Sequence, residues 1–244
     1  MKDHFSSLSG RYKLFRPTYP PKMYDYILSA VSQRNIAWDC GTGNGQVAVE
    51  LVRKFQKVHA TDISRQQLEQ APYHPNIVYS IQQAEAPVFP DQYFDLITVA
   101  QAIHWFNFEE FYEQIDRTIK SGGIFAIIGY GLIHTFPVAD IIISRFYREI
   151  VGPYWDQERD YLDEKYQTIP FPFEEIETPE FSASFKWSFE QIIGYLGTWS
   201  AVKHYREQTG DDPLDLIFED LKTCWMGGKM VQFPVYLRMA RIKK

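Results

Sequence analysis

Ile36-Ala37-Trp38-Asp39-Cys40-Gly41-Thr42-Gly43-Asn44-Gly45 decides how the chain is read. Its first five residues make a short strand, and Gly41 to Gly45 make a turn. In residues 46–55, Val47, Leu51 and Phe55 recur every four residues, which predicts a helix. A glycine turn between strand and helix lets a ligand approach the backbone and leaves the first helical N–H groups free. Working outward, strands are expected at 57–61, 76–81, 94–99 and 123–129, the last apolar almost throughout, as burial on both faces requires. Helices are expected between them. Ser64 caps one through residue 71, with Leu68 facing inward. Residues 108–119 carry Phe108, Phe111, Tyr112, Ile115 and Ile119 at helical spacing. Upstream, residues 22–31 place Met23, Tyr26, Ile27 and Ala30 on one helical face. Strands alternating with helices build a parallel sheet.

Beyond Gly131 the rhythm changes. Residues 138–150 read as a helix, and 156–179 are polar and proline-rich. Phe181, Ala183, Phe185, Trp187 and Phe189 alternate with Ser182, Ser184, Lys186 and Ser188, the pattern of a half-buried strand. Residues 190–226 read as helices broken near Gly210-Asp211-Asp212-Pro213. Val231, Phe233, Val235, Leu237 and Met239 alternate in a last strand. With no internal repeat, one domain over residues 1–244 is expected. Residues 1–30 form a lead-in or lid, 31–131 a ligand-binding core, and 132–244 the substrate-side helices and last two strands.

Composition excludes several classes. The chain has 244 residues, 45% of them hydrophobic and 16% aromatic, enough for a full core. The net charge is −6, and no basic block exceeds Arg241-Ile242-Lys243-Lys244, so no nucleic-acid footprint is expected. No apolar run approaches the ~20 residues that span a bilayer, and Met1-Lys2-Asp3-His4-Phe5 opens no signal peptide. Cys40 and Cys224 are expected as reduced thiols in a cytoplasmic protein. No His, Cys, Asp and Glu cluster has metal-ligand spacing, so no metal is expected. No nucleophile elbow marks a hydrolase. Nothing encodes an interface, so a monomer is the default.

The glycine loop suggests a nucleotide site, but its details argue against NAD. The dinucleotide fingerprint puts a third glycine where Gln46 stands, and no Gly-Lys-Ser/Thr follows for a P-loop. Asp39 at the strand end would repel a pyrophosphate. A ligand with an ammonium and a sulfonium in place of phosphates, such as S-adenosylmethionine (SAM), suits it. Asp62, 23 residues beyond Asp39, lies where an acidic side chain accepts ribose hydroxyls, a feature NAD and SAM share.

The chain resembles the class I SAM-dependent methyltransferases, and more narrowly their trans-aconitate methyltransferase-like small-molecule branch. Four stretches carry the resemblance over roughly residues 30–130. They are Asp39-Cys40-Gly41-Thr42-Gly43-Asn44-Gly45, Ala60-Thr61-Asp62-Ile63-Ser64, Phe94-Asp95-Leu96-Ile97-Thr98-Val99-Ala100-Gln101-Ala102-Ile103-His104-Trp105-Phe106, and Lys120-Ser121-Gly122-Gly123. The lead-in Tyr12-Lys13-Leu14-Phe15-Arg16-Pro17-Thr18-Tyr19-Pro20 and Thr198-Trp199-Ser200 also resemble this branch. The implied fold is a Rossmann-like, doubly wound α/β domain with a seven-stranded sheet. It is mostly parallel with an antiparallel last strand, and a helical C-terminal insertion between the last two strands caps the site.

The resemblance also implies roles. Asp39, Gly41, Gly43 and Gly45 form the cofactor loop, Asp62 takes the ribose, and Ile63 offers adenine an apolar face. Ala84 and Glu85 contact adenine, while Gln101 and Ala102 line the methionine end. His104 sits at the active rim, where it orients substrate or acts as a base; a structural hydrogen-bonding role is the simpler reading. Arg16 and Tyr19 are candidates to close over substrate, and Trp105 and Trp199 to exclude water from it. Lys203 and Arg206 are candidates to pair with a substrate carboxylate, against the plainer reading of a solvated helix face. The expected activity is methyl transfer to a small molecule, with a carboxylate as one acceptor. The rivals are a catalytically silent SAM-fold binding or regulatory protein, and a methyltransferase acting on a macromolecule.

Overall fold

The computed structural model describes residues 15–244. The expected lead-in resemblance at Tyr12-Lys13-Leu14, and the reading of residues 1–14 generally, lie outside the described residues. Eight strands form one sheet: β1 (Ile36–Cys40), β2 (Lys57–Asp62), β3 (Ile77–Ile81), β4 (Phe94–Ala100), β5 (Ile119–Tyr130), β6 (Glu175–Ile176), β7 (Phe181–Trp187) and β8 (Lys229–Arg241). Their order is β3-β2-β1-β4-β5-β8-β6, with β7 also paired to β8. The first five strands run parallel, while β8 runs antiparallel to β5, β6 and β7. This is the Rossmann-like, doubly wound arrangement expected, with one strand more. The two-residue β6 lies in the proline-rich stretch and is too short to show any periodicity.

The sheet is covered on both faces because successive strand residues point to opposite sides. Leu96, Ile124, Ala126 and Ile128 face one core with Met23 and Ile27 of α1 (Pro21–Ala30) and Val47 and Leu51 of α2 (Gln46–Leu51). Ile97, Val99, Phe125 and Ile127 face the other, with Trp38 and with Phe111 and Ile115 of α4 (Phe108–Thr118). Both faces buried means that β4 has no polar alternation to display.

Several boundaries shift for local reasons. In α3 (Arg65–Glu69), capped by Ser64, the buried side chain is Gln67 and not Leu68, because Gln67 faces the cleft described below. β5 begins at Ile119, four residues ahead of the expected start, since Ile119 pairs with Phe94 across an irregularity in register. The helix expected at 138–150 divides into α5 (Pro137–Arg145) and a π-helical turn, Phe146–Ile150. The short α6 (Asp160–Asp163) follows. β7 stops at Trp187 because Ser188 forms a capping box with Gln191 at the start of α7 (Phe189–Leu196). Two more helices, α8 (Ser200–Thr209) and α9 (Phe218–Cys224), complete the insertion ahead of β8.

Candidate functional site

The strand order reverses between β1 and β4, and ligands of open α/β sheets sit beyond the carboxyl ends of the strands at such a point. A cleft with about 860 Å³ of empty space opens there. Asp39, Gly41 and Gly43 line it from the first loop, Asp62 and Ile63 from the end of β2, and Gln101, Ala102 and Trp105 from the loop after β4. Arg16 and Tyr19 close it from the lead-in.

Asp39 is fully enclosed. Its Oδ2 accepts from the Thr42 hydroxyl at 2.5 Å and the Ala48 N–H at 3.1 Å, and its Oδ1 from the Thr98 hydroxyl at 2.9 Å. Burial pushes its carboxyl up to about 6; the three hydrogen bonds oppose that rise, and the Asp62 charge adds to it. Asp39 therefore ties the loop to α2 and β4 as well as lending the cleft negative charge. Asp62 accepts from Gly43 N–H at 2.8 Å and from Ser64 N–H at 2.9 Å.

Two glycines are required by contact as well as by conformation. Gly41 has φ +66°, and a Cβ there would lie 2.6 Å from the Ala102 Cβ. Gly45 has φ +81°, and its Cβ would lie 2.6 Å from the Tyr79 hydroxyl. Gly45 thus shapes the start of α2 and borders a side groove, outside the main cleft. Gln101 adopts φ +53°, a left-handed conformation costly for a residue with a side chain. Its N–H donates to the Ile128 carbonyl, and its Nε2 to the Tyr130 carbonyl at 3.1 Å. These bonds hold the bend that turns the β4 loop toward the cleft.

The expected adenine contacts at Ala84 and Glu85 are not in the cleft. Ala84 is buried in the hydrophobic cluster that also holds Cys40 and Ile103. Glu85 accepts from the Asn107 N–H at 3.0 Å, and so fixes the residue that caps α4. Glu85 nevertheless stays close enough to the end of β1 for its charge to act on the Cys40 thiol.

A second, smaller cavity adjoins the cleft. The two share Arg16, Gln101 and Trp105 as walls. His104, Trp155, Asp156, Arg159, Trp199 and Ser200 complete the smaller one. His104 is 6% exposed, and its Nδ1 lies 2.9 Å from the Tyr166 hydroxyl. Burial, and secondarily the Arg159 charge, push its imidazole down to about 3, so the ring is neutral at pH 7. Trp199 stacks on Phe146 and packs against Trp155. Neither Lys203 nor Arg206 lines either cavity. Arg206 pairs with Asp212 at 2.6 Å, and the Lys203 ammonium lies 3.9 Å from Glu207 on the same helix.

The lead-in is strapped across the junction. Arg16 Nη1 donates to the Tyr130 hydroxyl at 2.7 Å and Nη2 to the Thr198 carbonyl at 3.1 Å. Gln46 Nε2 donates to the Pro17 carbonyl at 3.0 Å. Sequence reasoning overlooked Gln67 and Tyr130 on the cleft wall, although Tyr130 ends β5 at the ligand edge. It also overlooked Trp155, Asp156 and Arg159, which lie where no periodicity exists to assign them a face. Among the described residues, no group of three or more His, Cys, Asp or Glu could hold a metal ion, and no helix is long and apolar enough to cross a membrane.

Comparison with known proteins adds four findings. A family model described as a methyltransferase domain matches residues 38–127. A Dictyostelium discoideum protein described as a candidate methyltransferase is 36% identical over 249 residues, spanning 98% of this chain and 95% of that protein. A solved structure from Anaeromyxobacter dehalogenans, described as a candidate type II methyltransferase, is 36% identical with a TM-score of 0.87, covering 94% of this chain and 99% of its own. A Haemonchus contortus phosphoethanolamine N-methyltransferase, solved with S-adenosylhomocysteine, shares the fold at 15% identity and a TM-score of 0.50, over 98% of this chain and 58% of its own.

Proposed function

The chain belongs to the class I SAM-dependent methyltransferases, and we propose that it binds SAM in the larger cleft and methylates a small acceptor held in the adjoining cavity. The observation that carries this reading is the shared wall of Arg16, Gln101 and Trp105. It lets two ligands meet without leaving their own pockets.

The residues present fit the cofactor. At Gly43, with φ +56°, nothing stands nearer than 4.0 Å to where a Cβ would be, which leaves room for a ligand to approach the backbone on the cleft wall. The Asp62 carboxylate stands at the end of β2, where it can take ribose hydroxyls, and Ile63 offers adenine an apolar face. Two carboxylates on the cleft wall suit a ligand carrying sulfonium and ammonium charges. SAM supplies a methyl group already activated for transfer, so the protein has to supply alignment and a dry junction.

His104 supports a particular acceptor. A neutral imidazole held near 3 is a poor proton acceptor at pH 7, and its Nδ1 is engaged with Tyr166. An acceptor already ionised at neutral pH needs no base, and a carboxylate, with pKa about 4, is one. The likeness to trans-aconitate methyltransferase-like proteins supports the same choice. The size of the second cavity and the net charge of −6 favour a small molecule over a nucleic acid. His104 then orients the substrate, while Trp105 and Trp199 keep water from it.

The test has two arms. Calorimetry should show SAM and S-adenosylhomocysteine binding, with no comparable binding of NAD. Incubating the protein with metabolite extract and methyl-labelled SAM should yield a labelled product that releases its label in alkali, as a methyl ester does. NAD binding without SAM binding overturns the cofactor assignment; an alkali-stable product overturns the carboxylate.

A further inference from the structure

We infer that the acceptor is a polyfunctional organic acid, held by a carboxylate on Arg159 and by a hydroxyl or ammonium group on Asp156, while a second carboxylate faces the cofactor. This rests on the reading of the two cavities given above and names the substrate class of the smaller one.

Arg159 and Asp156 both line the part of the smaller cavity that the cofactor cleft does not share. They stand three residues apart, yet no ion pair joins them. Arg159 is held from one side. Its Nε donates to the Tyr147 hydroxyl at 3.2 Å and lies 3.8 Å from Asp163, and its guanidinium stacks 4.8 Å over the Trp155 ring. Its Nη1 and Nη2 have no hydrogen-bond partner among the described residues. A planar guanidinium fixed by stacking, with its fork unspent, is arranged to take a carboxylate.

Asp156 is the opposite pole. Its side chain is 13% exposed, and its Oδ2 is buried without a hydrogen-bond donor. It precedes the short helical turn Gln157–Arg159, yet its side chain caps none of that turn's N–H groups. His204 Nδ1 is 3.9 Å away and bonds instead to the Tyr154 carbonyl at 2.9 Å. A buried carboxylate oxygen without a donor is costly, and a ligand donor removes that cost. The two unspent poles thus call for opposite groups on one small molecule. The reacting group is left to lie at the Gln101 and Trp105 wall, where the cavities meet.

The test measures binding of malate, aspartate, succinate and 3-hydroxybutyrate to the protein saturated with S-adenosylhomocysteine. Malate and aspartate carry two carboxylates and a donor; succinate lacks the donor, and 3-hydroxybutyrate lacks one carboxylate. Malate, aspartate or both should bind roughly tenfold or more tighter than the other two, the scale of one hydrogen bond to a charged group. Which of the two binds tells hydroxyl from ammonium. Asp156→Asn should remove the advantage over succinate. Arg159→Lys, chosen to keep the charge and the packed stem, should weaken every probe while leaving S-adenosylhomocysteine affinity and melting temperature near the parent values. Equal affinities for succinate and its donor-bearing analogues overturn the inference, as does an unchanged preference in Asp156→Asn. Failure of all four probes to bind a protein that does bind S-adenosylhomocysteine also overturns it, and leaves methyl transfer standing. Loss at the cofactor step itself overturns both.

Discussion

Gly41 faces Ala102 so closely that a Cβ on the glycine would sit 2.6 Å from the alanine Cβ. The first loop and the loop after β4 are therefore packed backbone against side chain on the cleft wall. Gly41→Ala meets both a left-handed φ and this contact. We expect a stability loss of about 2–4 kcal/mol from the two together, read by chemical denaturation, and SAM affinity reduced alongside it. A variant of parental stability would show that the loops yield.

Asp62→Ala should weaken SAM binding by roughly 1.5–3 kcal/mol, the scale of hydrogen bonds to a charged group. It also strips Gly43 and Ser64 N–H groups of their acceptor. Both residues line the open cleft, from which water can replace the lost acceptor, so the fold should survive. Calorimetry on a variant shown to be folded measures the effect, and unchanged affinity would remove Asp62 from the ribose role.

His104→Gln should retain considerable activity, with no ionisation near pH 6.5 in the rate profile of the parent. A general base would instead cost about 10²–10⁴-fold. Stability carries a second signature. The imidazole is held near 3 in the folded protein, below its ordinary value of 6.5, so the unfolded chain binds the extra proton between them. The stability this site contributes is complete above about pH 6.5 and is lost as the pH falls toward 3. The glutamine variant does not titrate there, so its stability relative to the parent should improve on acidification through that window. Denaturation curves at stepped pH check the sign.

Arg16→Ala should raise the KM for acceptor and also weaken S-adenosylhomocysteine binding, because Arg16 walls both cavities and fastens the lead-in to Tyr130 and Thr198. From sequence alone, an effect on acceptor only is the natural expectation. Paired calorimetry and kinetics decide between them.

How much of this was legible in the sequence depends on whether a residue belongs to a periodic element. Asp39, Gly41, Gly43 and Asp62 sit at strand ends whose strands announce themselves by apolar runs, so both their place and their common edge follow from the pattern. Ala84 and Glu85 come after such a strand too, but Glu85 accepts from the Asn107 N–H and Ala84 packs in the core, partners that no local pattern encodes. Trp155, Asp156 and Arg159 lie in or beside a polar, proline-rich stretch with no face to assign. Only tertiary packing against Tyr147 and Trp199 brings them to the cavity. Lys203 and Arg206 had the right charge on a periodic helix, yet they stand beside acidic neighbours, Glu207 on that helix and Asp212 just beyond it, and neither lines a cavity.

Three side chains, Arg16, Gln101 and Trp105, belong to both pockets at once. Any adjustment of these three by one occupant is an adjustment of the other occupant's surroundings, so the two binding equilibria form a closed thermodynamic cycle. Whatever factor the acceptor applies to the cofactor's affinity, the cofactor must apply to the acceptor's. The common wall makes saturation by one ligand a condition that sets the working range of the other, and order of addition changes the path without changing the end point.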